Sequence, residues 1–266
     1  MAEAVGLAVS VAALAGLFNN TVDCFEFVQL GRNFGKDYDT SQVMLDNAQL
    51  RLSRWGKSLG LGDNIRDVES LATRFQPLSN VTHAERLLGQ VFNLFADAEG
   101  VSHKYKIQNK SDSNSLAIYN PQTDLSSEMA SLHEKMRGLS IKRQNNSGLR
   151  QKTKWALYEG EHFRQLIGNI TKLVDDLVDL FPASKQSQRE LCDAEVSVLG
   201  SGEAITVLQE IAASQDKLLE QAINAQARDS TFAKSHHIEF SGNGNSGAQV
   251  GHNSGTMSGF TFGKGN

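Results

Sequence analysis

The sequence has very few of the residues that build disulfide-stabilised scaffolds or metal sites. It contains two cysteines, Cys24 and Cys192, which lie far apart in the chain and lack the spacing of metal ligands. This usage fits reduced thiols in a cytosolic protein, where both cysteines serve as small buried apolar residues. Only three prolines interrupt the 266 residues and 39% of the residues are hydrophobic, so a sizeable core is possible.

The sequence also lacks an excess of positive charge. Its 26 lysine and arginine residues are interspersed with 30 aspartate and glutamate residues, which gives a formal net charge of -4. A protein without a bulk positive field has no general attraction to the phosphate backbone of nucleic acids. We therefore expect no nucleic-acid partner.

No catalytic motif with a specific spacing is present. The chain has no phosphate-binding P-loop, no nucleophile elbow, no HExxH sequence and no paired cysteine motif. The histidines are scattered, and the adjacent pair His236 and His237 does not share one face of a helix. The acidic residues Asp175, Asp176 and Asp179 fall on the polar side of an amphipathic helix, where a solvated face is the simpler interpretation. We expect no enzyme activity, no cofactor and no metal site.

Charge is absent from the N-terminal stretch. No charged residue lies between Glu3 and Asp23, and residues 4–18 are apolar on every face of a helix rather than along one stripe. A helix over residues 4–22 is about 28 Å long at 1.5 Å per residue, close to the ~30 Å hydrocarbon core of a bilayer. A helix of this kind must be buried in protein or in lipid.

Three interpretations of this stretch are compatible with its composition. A secretory signal peptide requires a basic residue near the start, and only Glu3 precedes the run. A buried core helix is favoured over a permanent transmembrane helix, because Ala, Gly, Ser10 and the polar residues 19–21 weaken a membrane span. In the third interpretation the helix is buried at rest and inserts in lipid after a trigger. The residues that would insert are Val5, Leu7, Val9, Val11, Leu14, Gly16, Leu17 and Phe18.

Helical periodicity covers most of the chain up to about residue 227. The strongest apolar stripe runs over residues 161–180 and is followed by Pro182. A capping box at residues 82–85 predicts a helix that starts there, and residues 100–123 are predicted to form a loop with a short strand at 115–119. Further helices are predicted over residues 40–59, 63–74, 125–139, 148–158, 187–199 and 203–227. We therefore predict an all-α bundle of seven to nine helices over residues 1–227.

The composition changes after the bundle. We assign residues 228–241 to a linker and residues 242–266 to a tail that is rich in Gly and Asn and has almost no charge. A flexible tail, or a cloning remnant, has such a composition. However, glycine recurs every fourth residue from Gly247 to Gly263, and low charge without proline suits identical segments stacked as a cross-β array. The tail is therefore predicted to be disordered alone and able to assemble.

Blocks of the bundle resemble a known family. They occur at residues 15–20 (AGLFNN), 22–26 (VDCFE), 28–32 (VQLGR), 51–56 (RLSRWG) and 154–158 (KWALY), and they are similar to the HeLo domain of the fungal HET-S and HET-s heterokaryon-incompatibility proteins. The likeness covers most of residues 1–225. It implies a helical domain with a short β-hairpin that permeabilises membranes when an appended tail adopts an amyloid fold. It also implies that the apolar N-terminus is buried at rest and released to insert, and it is compatible with a resting dimer.

The tail differs from that of HET-s, which carries two longer, charge-bearing repeats. Residues 245–255 (NSGAQVGHNSG) instead resemble the short pseudo-palindromic fungal amyloid motif, which is similar to the core of the RHIM of necroptosis proteins. In such systems a NOD-like receptor with a matching motif templates the tail of the effector. The residues assigned to the amyloid motif are Asn245, Gly247, Gln249, Val250, Gly251, Asn253, Gly255, Phe260 and Phe262.

Together, the apolar N-terminus and the assembling tail indicate a cell-death effector. The expected partners are further copies of the chain, a NOD-like receptor with a matching motif, and membrane lipids on activation. We expect the protein in the cytoplasm at rest and at the plasma membrane when activated. The alternative is a non-toxic prion-type adaptor or inhibitor that co-assembles through the tail without entering membranes.

Overall fold

A computed structural model describes residues 2–62, 75, 77–112, 114–144 and 153–235 of the chain. The chain divides into two compact units, Met1–Ala222 and Ile223–Asn266. The described part of the second unit, residues 223–235, continues the last helix. The helix predicted over residues 63–74 and the tail lie outside the described residues.

Within the described ranges the structure is helical apart from two short strands and two 3-10 turns. The order is α1 (Ala2–Phe25), β1 (Val28–Leu30), a 3-10 turn (Arg32–Asp37), α2 (Tyr38–Leu59), α3 (Leu78–Gln108), α4 (Pro121–Asp124), α5 (Ser127–Lys142), β2 (Trp155–Leu157), α6 (Gly160–Leu180), a second 3-10 turn (Pro182–Ser184), α7 (Lys185–Leu199), α8 (Glu203–Gln215) and α9 (Lys217–Ser235). The predicted all-α bundle is confirmed.

Helix α2 is the centre of the bundle. It packs against α1, α5, α6, α7 and α8, and nearly all of its residues are buried although many are polar. A buried polar residue is tolerated only when its hydrogen-bonding groups find partners. The polar side chains of α2 therefore dictate which helices surround it. Helix α2 ends at Gly60, whose positive φ of 83° closes the last turn in the left-handed conformation that glycine adopts without strain.

Helices α1, α3 and α6 form the second half of the core. Helix α3 packs against both α1 and α6. The predicted apolar stripe of α6 is buried at Phe163, Leu166, Ile167, Ile170, Val174 and Leu177, and is half-buried at Leu173 and Leu180. One wide apolar stripe thus places α6 between α2 and α3.

The two strands do not form the hairpin that the family resemblance implied. β1 and β2 pair in parallel, with Val28 opposite Trp155 and Leu30 opposite Leu157. The helix predicted over residues 148–158 is therefore wrong at residues 155–157, where the backbone pairs with β1. Gly31 permits the close approach that follows, because a Cβ atom there would lie 2.6 Å from Cδ1 of Tyr158. Ile118, within the predicted strand, forms one isolated bridge to Gly31.

Other helix boundaries differ from the sequence prediction. Helix α3 begins at Leu78, directly after the extended Pro77, so Thr82 lies inside the helix and does not cap it. The same helix continues to Gln108, where a loop was predicted from residue 100 onward. The predicted helix over residues 203–227 is two helices, because the chain breaks at Asp216.

Candidate functional site

The N-terminal helix α1 is only half covered by the rest of the bundle. From residue 10 onward, one face is buried through Val11, Leu14, Phe18, Val22 and Phe25. The opposite face carries the exposed residues Ala12, Ala13, Gly16 and Asn20. The structure thus buries three of the candidate insertion residues, Val11, Leu14 and Phe18, leaves Leu17 half-buried and exposes Gly16. Val5, Leu7 and Val9 belong to α1, but their side chains lie outside the described residues.

Phe18 is a fully buried residue in the contact between α1 and α2. Its ring meets the indole of Trp55 edge to face, with centroids 6.2 Å apart. It also lies over the bare backbone of Gly56, where a Cβ atom would come within 2.3 Å of the ring. Trp55 is held in turn by a hydrogen bond from its Nε1 to the Leu177 carbonyl at 3.0 Å. We call Trp55 and Gly56 the Phe18 seat.

The C-terminal end of α1 is fixed by an aromatic contact and by the polar contacts of Glu26, the residue that follows the helix. Gln49 Nε2 donates to Glu26 Oε1 at 2.9 Å, and Arg137 Nε donates to Glu26 Oε2 at 2.7 Å. Phe25 packs edge to face on Phe95, with centroids 4.8 Å apart. All of these contacts are non-covalent, so this end of α1 can be released without breaking a covalent bond.

Three polar side chains of α1 hydrogen-bond within their own helix. Asn19 Nδ2 donates to the Ala15 carbonyl at 2.9 Å, and Thr21 Oγ1 donates to the Leu17 carbonyl at 2.7 Å. Cys24 Sγ donates to the Asn20 carbonyl at 3.2 Å. A polar group that finds its partner one turn earlier keeps that bond in any environment that preserves the helix. These residues therefore oppose insertion in lipid less than their composition indicates.

Directly before the Phe18 seat, α2 carries a buried ion network. Arg54 binds Glu195 through Nε at 2.9 Å and Nη2 at 2.7 Å, and its Nη1 donates to Asp216 Oδ1 at 3.0 Å. Arg143 Nη1 donates to Glu195 Oε1 at 2.6 Å. Burial alone would lower the pKa of Arg54, but Asp216 and Glu195 raise that pKa well above its ordinary value. Arg54 is therefore charged in the core.

Asp216 connects this network to the start of α9. Its Oδ1 accepts a hydrogen bond from the Leu219 amide at 3.3 Å, and its carbonyl accepts one from the Glu220 amide at 3.0 Å. Arg51 adds a hydrogen bond from Nη1 to the Gln215 carbonyl at 2.6 Å. Three successive residues of α2 thus connect two distant parts of the chain. Arg54 binds Asp216, directly before α9, and the Phe18 seat (Trp55 and Gly56) contacts α1.

The sequence analysis did not identify this network. It placed Asp175 on a solvated face, and Asp175 is half-exposed but binds Arg51 Nη2 at 2.5 Å. The available signal was the pair Arg51 and Arg54, whose spacing puts two charges on the inner side of an amphipathic helix. Arginine at such positions requires buried acidic partners.

A second buried polar pair joins α2 to α5. His133 Nδ1 lies 2.8 Å from Asp46 Oδ2, and Gln42 Nε2 donates to Asp46 Oδ1 at 2.9 Å. The pair borders a polar cavity of about 180 Å³. Burial raises the pKa of Asp46. Burial alone would lower the pKa of His133, but its hydrogen bond and charge interaction with Asp46 raise it.

We expect the stability of the bundle to fall as the pH rises from about 6 to about 8 because of this pair. A histidine whose pKa is raised in the folded state stabilises that state fully below its unfolded pKa and loses the effect as pH rises through the folded pKa. Urea unfolding at both pH values measures this difference.

His133→Gln is the matched variant for that measurement. It keeps a hydrogen-bond donor near Asp46 but removes the titrating ring, so the difference between the two pH values should shrink. If the wild type and His133→Gln lose the same stability between the two pH values, groups other than His133 cause that loss.

The described ranges contain no cluster of His, Cys, Asp or Glu residues arranged to hold a metal ion. Over those ranges, none of the helices combines the length and the apolar character needed to cross a bilayer. All residues assigned to the amyloid motif, from Asn245 to Phe262, lie outside the described residues.

Comparison with known proteins gives matches for both parts of the chain. The HeLo family profile, described as prion-inhibition and propagation, matches residues 6–219. A second profile, described as SesB domain on fungal death-pathway protein, matches residues 233–259. The heterokaryon incompatibility protein s of Podospora anserina is 32% identical over 222 residues, which cover 84% of this chain and 74% of that protein.

Two further comparisons agree with these matches. Heterokaryon incompatibility protein S of the same fungus is 31% identical over 223 residues, again 84% of this chain and 74% of that protein. The solved N-terminal domain of HET-S superposes with a TM-score of 0.72 at 31% identity, and the match covers 84% of this chain and 99% of that domain. A doubly substituted HET-s N-terminal domain gives a TM-score of 0.71 at 32% identity, covering 81% of this chain and 98% of that one.

Proposed function

Because the chain belongs to the HeLo family, we propose that it is a membrane-permeabilising cell-death effector whose C-terminal tail triggers it by amyloid templating. The bundle is a prion-inhibition and propagation domain related to HET-S, and the tail region matches a domain of fungal death-pathway proteins. The family is non-enzymatic. The finer steps of the mechanism are inferred below from the contacts of α1.

The half-covered α1 carries the proposal. Its exposed face is free of charge from Ala12 to Asn20, although a face that only met water would normally be charged or strongly polar. Its buried face is held by side-chain contacts with the Phe18 seat and with Phe95. A helix with both faces apolar or neutral suits two environments, the protein core at rest and lipid after release.

The ion network offers a route from the tail to α1. Asp216 directly precedes α9, the helix that leads along the chain to the tail, and it is bound to Arg54 of α2. The next two residues of α2 form the Phe18 seat. A pull on α9 that separates Asp216 from Arg54 leaves a buried charge with fewer partners, which destabilises the local arrangement of α2. The Phe18 seat directly follows Arg54 in α2.

Amyloid assembly of the tail supplies the pull. Identical motifs stacked in register satisfy each other's backbone groups, so growth on a template is favourable although one tail alone stays unpaired. A NOD-like receptor with a matching motif is the proposed template. Assembly concentrates the bundles and shifts them toward a minor state with α1 released. Exposed apolar surface costs roughly 25 cal/mol per Å² in water, and lipid removes this cost.

Dye leakage from liposomes tests the proposal with the variant Ala13→Lys. Ala13 is exposed at rest and lies at the middle of residues 4–22, so a lysine there leaves the resting core intact. In lipid, a lysine at the centre of a helix costs about 2.5 to 3.5 kcal/mol. Full-length protein should cause leakage when fibrils of the peptide 242–266 are added, and Ala13→Lys should cause little. Leu14 is a poorer choice, because it is fully buried and a lysine there would also unfold the bundle.

Ala194→Lys is the matched control, since Ala194 is an exposed alanine on α7 outside the inserting segment. It should leak like the wild type. If Ala13→Lys and the wild type cause equal leakage, insertion of α1 is not part of the mechanism. Fibrils that grow on the full-length tail without leakage from any sample would instead assign the chain to a non-toxic adaptor or inhibitor. That second candidate is favoured by the family description, which includes prion inhibition.

A further inference from the structure

The C-terminal end of α3 carries a charged surface that the steps above do not use. Residues 101–111 contain three lysines and one histidine and no acidic residue, whereas Asp97 and Glu99 precede them. In the middle of this stretch Ile107 is 63% exposed, more than any other large apolar side chain in the described part of the chain. We define the α3 patch as His103, Lys104, Lys106, Ile107 and Lys110.

The patch is held on a rigid base. Tyr105 stacks on Tyr158 with ring centroids 4.8 Å apart and planes 11° apart, and Asn33 Nδ2 donates to the Tyr105 hydroxyl at 2.9 Å. Residues three and four apart are neighbours on a helix surface. The exposed isoleucine therefore lies beside His103 and Lys104 on a fixed helix end.

Two acidic residues on the loop and the helix that follow α3 have partners of their own. Asp112 Oδ1 accepts hydrogen bonds from the Asn114 amide at 3.1 Å and the Ser115 amide at 3.3 Å. Asp124 pairs with Arg32 at 3.2 Å, and the Arg32 guanidinium lies 5.1 Å from the centre of the Tyr119 ring. The ion pair of Arg32 with Asp124 therefore adds no net charge to this end of the molecule.

We propose that the α3 patch is the surface by which the protein docks on an anionic bilayer, with its lysines over the headgroups and Ile107 at the acyl boundary. Basic residues at a helix C-terminus also stabilise the helix through its dipole. That role does not require an exposed isoleucine between them. Combined charge and apolar contact is what an interfacial membrane contact uses. The inference rests on the proposed membrane function and adds which surface of the bundle meets the bilayer when α1 is released.

Vesicle co-sedimentation without fibrils tests the docking separately from leakage. Full-length protein should bind vesicles of phosphatidylcholine with phosphatidylserine, bind pure phosphatidylcholine weakly, and lose binding as salt is raised. Each lysine near an anionic surface strengthens binding by about fivefold. The triple variant Lys104→Gln, Lys106→Gln and Lys110→Gln should therefore bind roughly 100-fold more weakly. Ile107→Ser should weaken binding several-fold and leave the salt dependence unchanged.

The control removes three charges elsewhere. Arg86→Gln, Lys172→Gln and Arg189→Gln change exposed residues outside the patch by the same total charge, and this variant should bind nearly as the wild type does. Equal loss in both triple variants would mean that only net charge matters and would overturn the proposal. So would a wild type that ignores phosphatidylserine. Either result leaves fibril-triggered leakage as an independent measurement of the proposed function.

Discussion

Gly56→Ala should cause leakage from liposomes in the absence of fibrils. The new Cβ atom would lie 2.3 Å from the Phe18 ring, and the ring is fully buried between α1 and α2. Overpacking of this kind costs about 1 to 3 kcal/mol, which shifts a two-state equilibrium by roughly fivefold to 150-fold. The change lies in the seat and not in α1, so the helix that would enter lipid keeps its natural sequence.

Gly89→Ala is the matched control for that substitution. Gly89 lies inside α3 and no atom outside its own helix is within 4 Å of its Cβ position. Alanine there should stabilise the helix by up to about 1 kcal/mol and should not cause leakage. Adding Ala13→Lys to Gly56→Ala should abolish the fibril-independent leakage. Leakage that persists in the double variant would come from general unfolding. If Gly56→Ala is folded but causes no leakage, the Phe18 seat does not restrain α1.

The seat could be only partly predicted from the sequence. The absence of charge between Glu3 and Asp23 was enough to identify α1 as a helix that buries apolar residues, because this property depends on residue types alone. The expectation that the whole helix is buried was wrong for the face that carries Ala12, Ala13 and Gly16, which is exposed. Which face would be buried did not follow, since every face is apolar. The face is chosen by Trp55 and by the lack of a side chain at Gly56, which belong to another helix. Contacts between distant elements carry no local pattern.

The errors in element boundaries have the same origin. The stripe of α6 was predicted correctly because eight apolar residues repeat with the period of a helix. Residues 155–157 were predicted to be helical because residues 148–158 carry helical spacing around Trp155, but a short apolar run does not separate helix from strand. Their pairing with β1, more than a hundred residues earlier, decides the conformation. The break at Asp216 escaped prediction for a similar reason, because its carboxylate faces Arg54.

Arg54→Met should lower the free energy of unfolding by about 3 to 5 kcal/mol, the loss typical of a buried ion pair that loses one partner. Methionine fills a similar volume, but it leaves Glu195 and Asp216 buried with one positive partner fewer. Arg143 still binds Glu195, which places the expected loss toward the lower end of that range. Urea unfolding followed by helical circular dichroism measures the change. Arg164→Met, at an exposed pair with Glu161, is the control and should change the stability little.

The same variant tests whether the network relays the signal from the tail. Since Arg54 binds Asp216 at the start of α9 and precedes the Phe18 seat, Arg54→Met should leak at lower fibril concentrations than the wild type. A general loss of stability could also lower that threshold, so the comparison needs Leu208→Ala, a core variant in α8 that is expected to lose about 2 to 5 kcal/mol without touching the network. If both variants leak at the same reduced fibril concentration, the network only supports the fold. A lower threshold for Arg54→Met at matched stability is expected if the ion pair restrains α1 through α2.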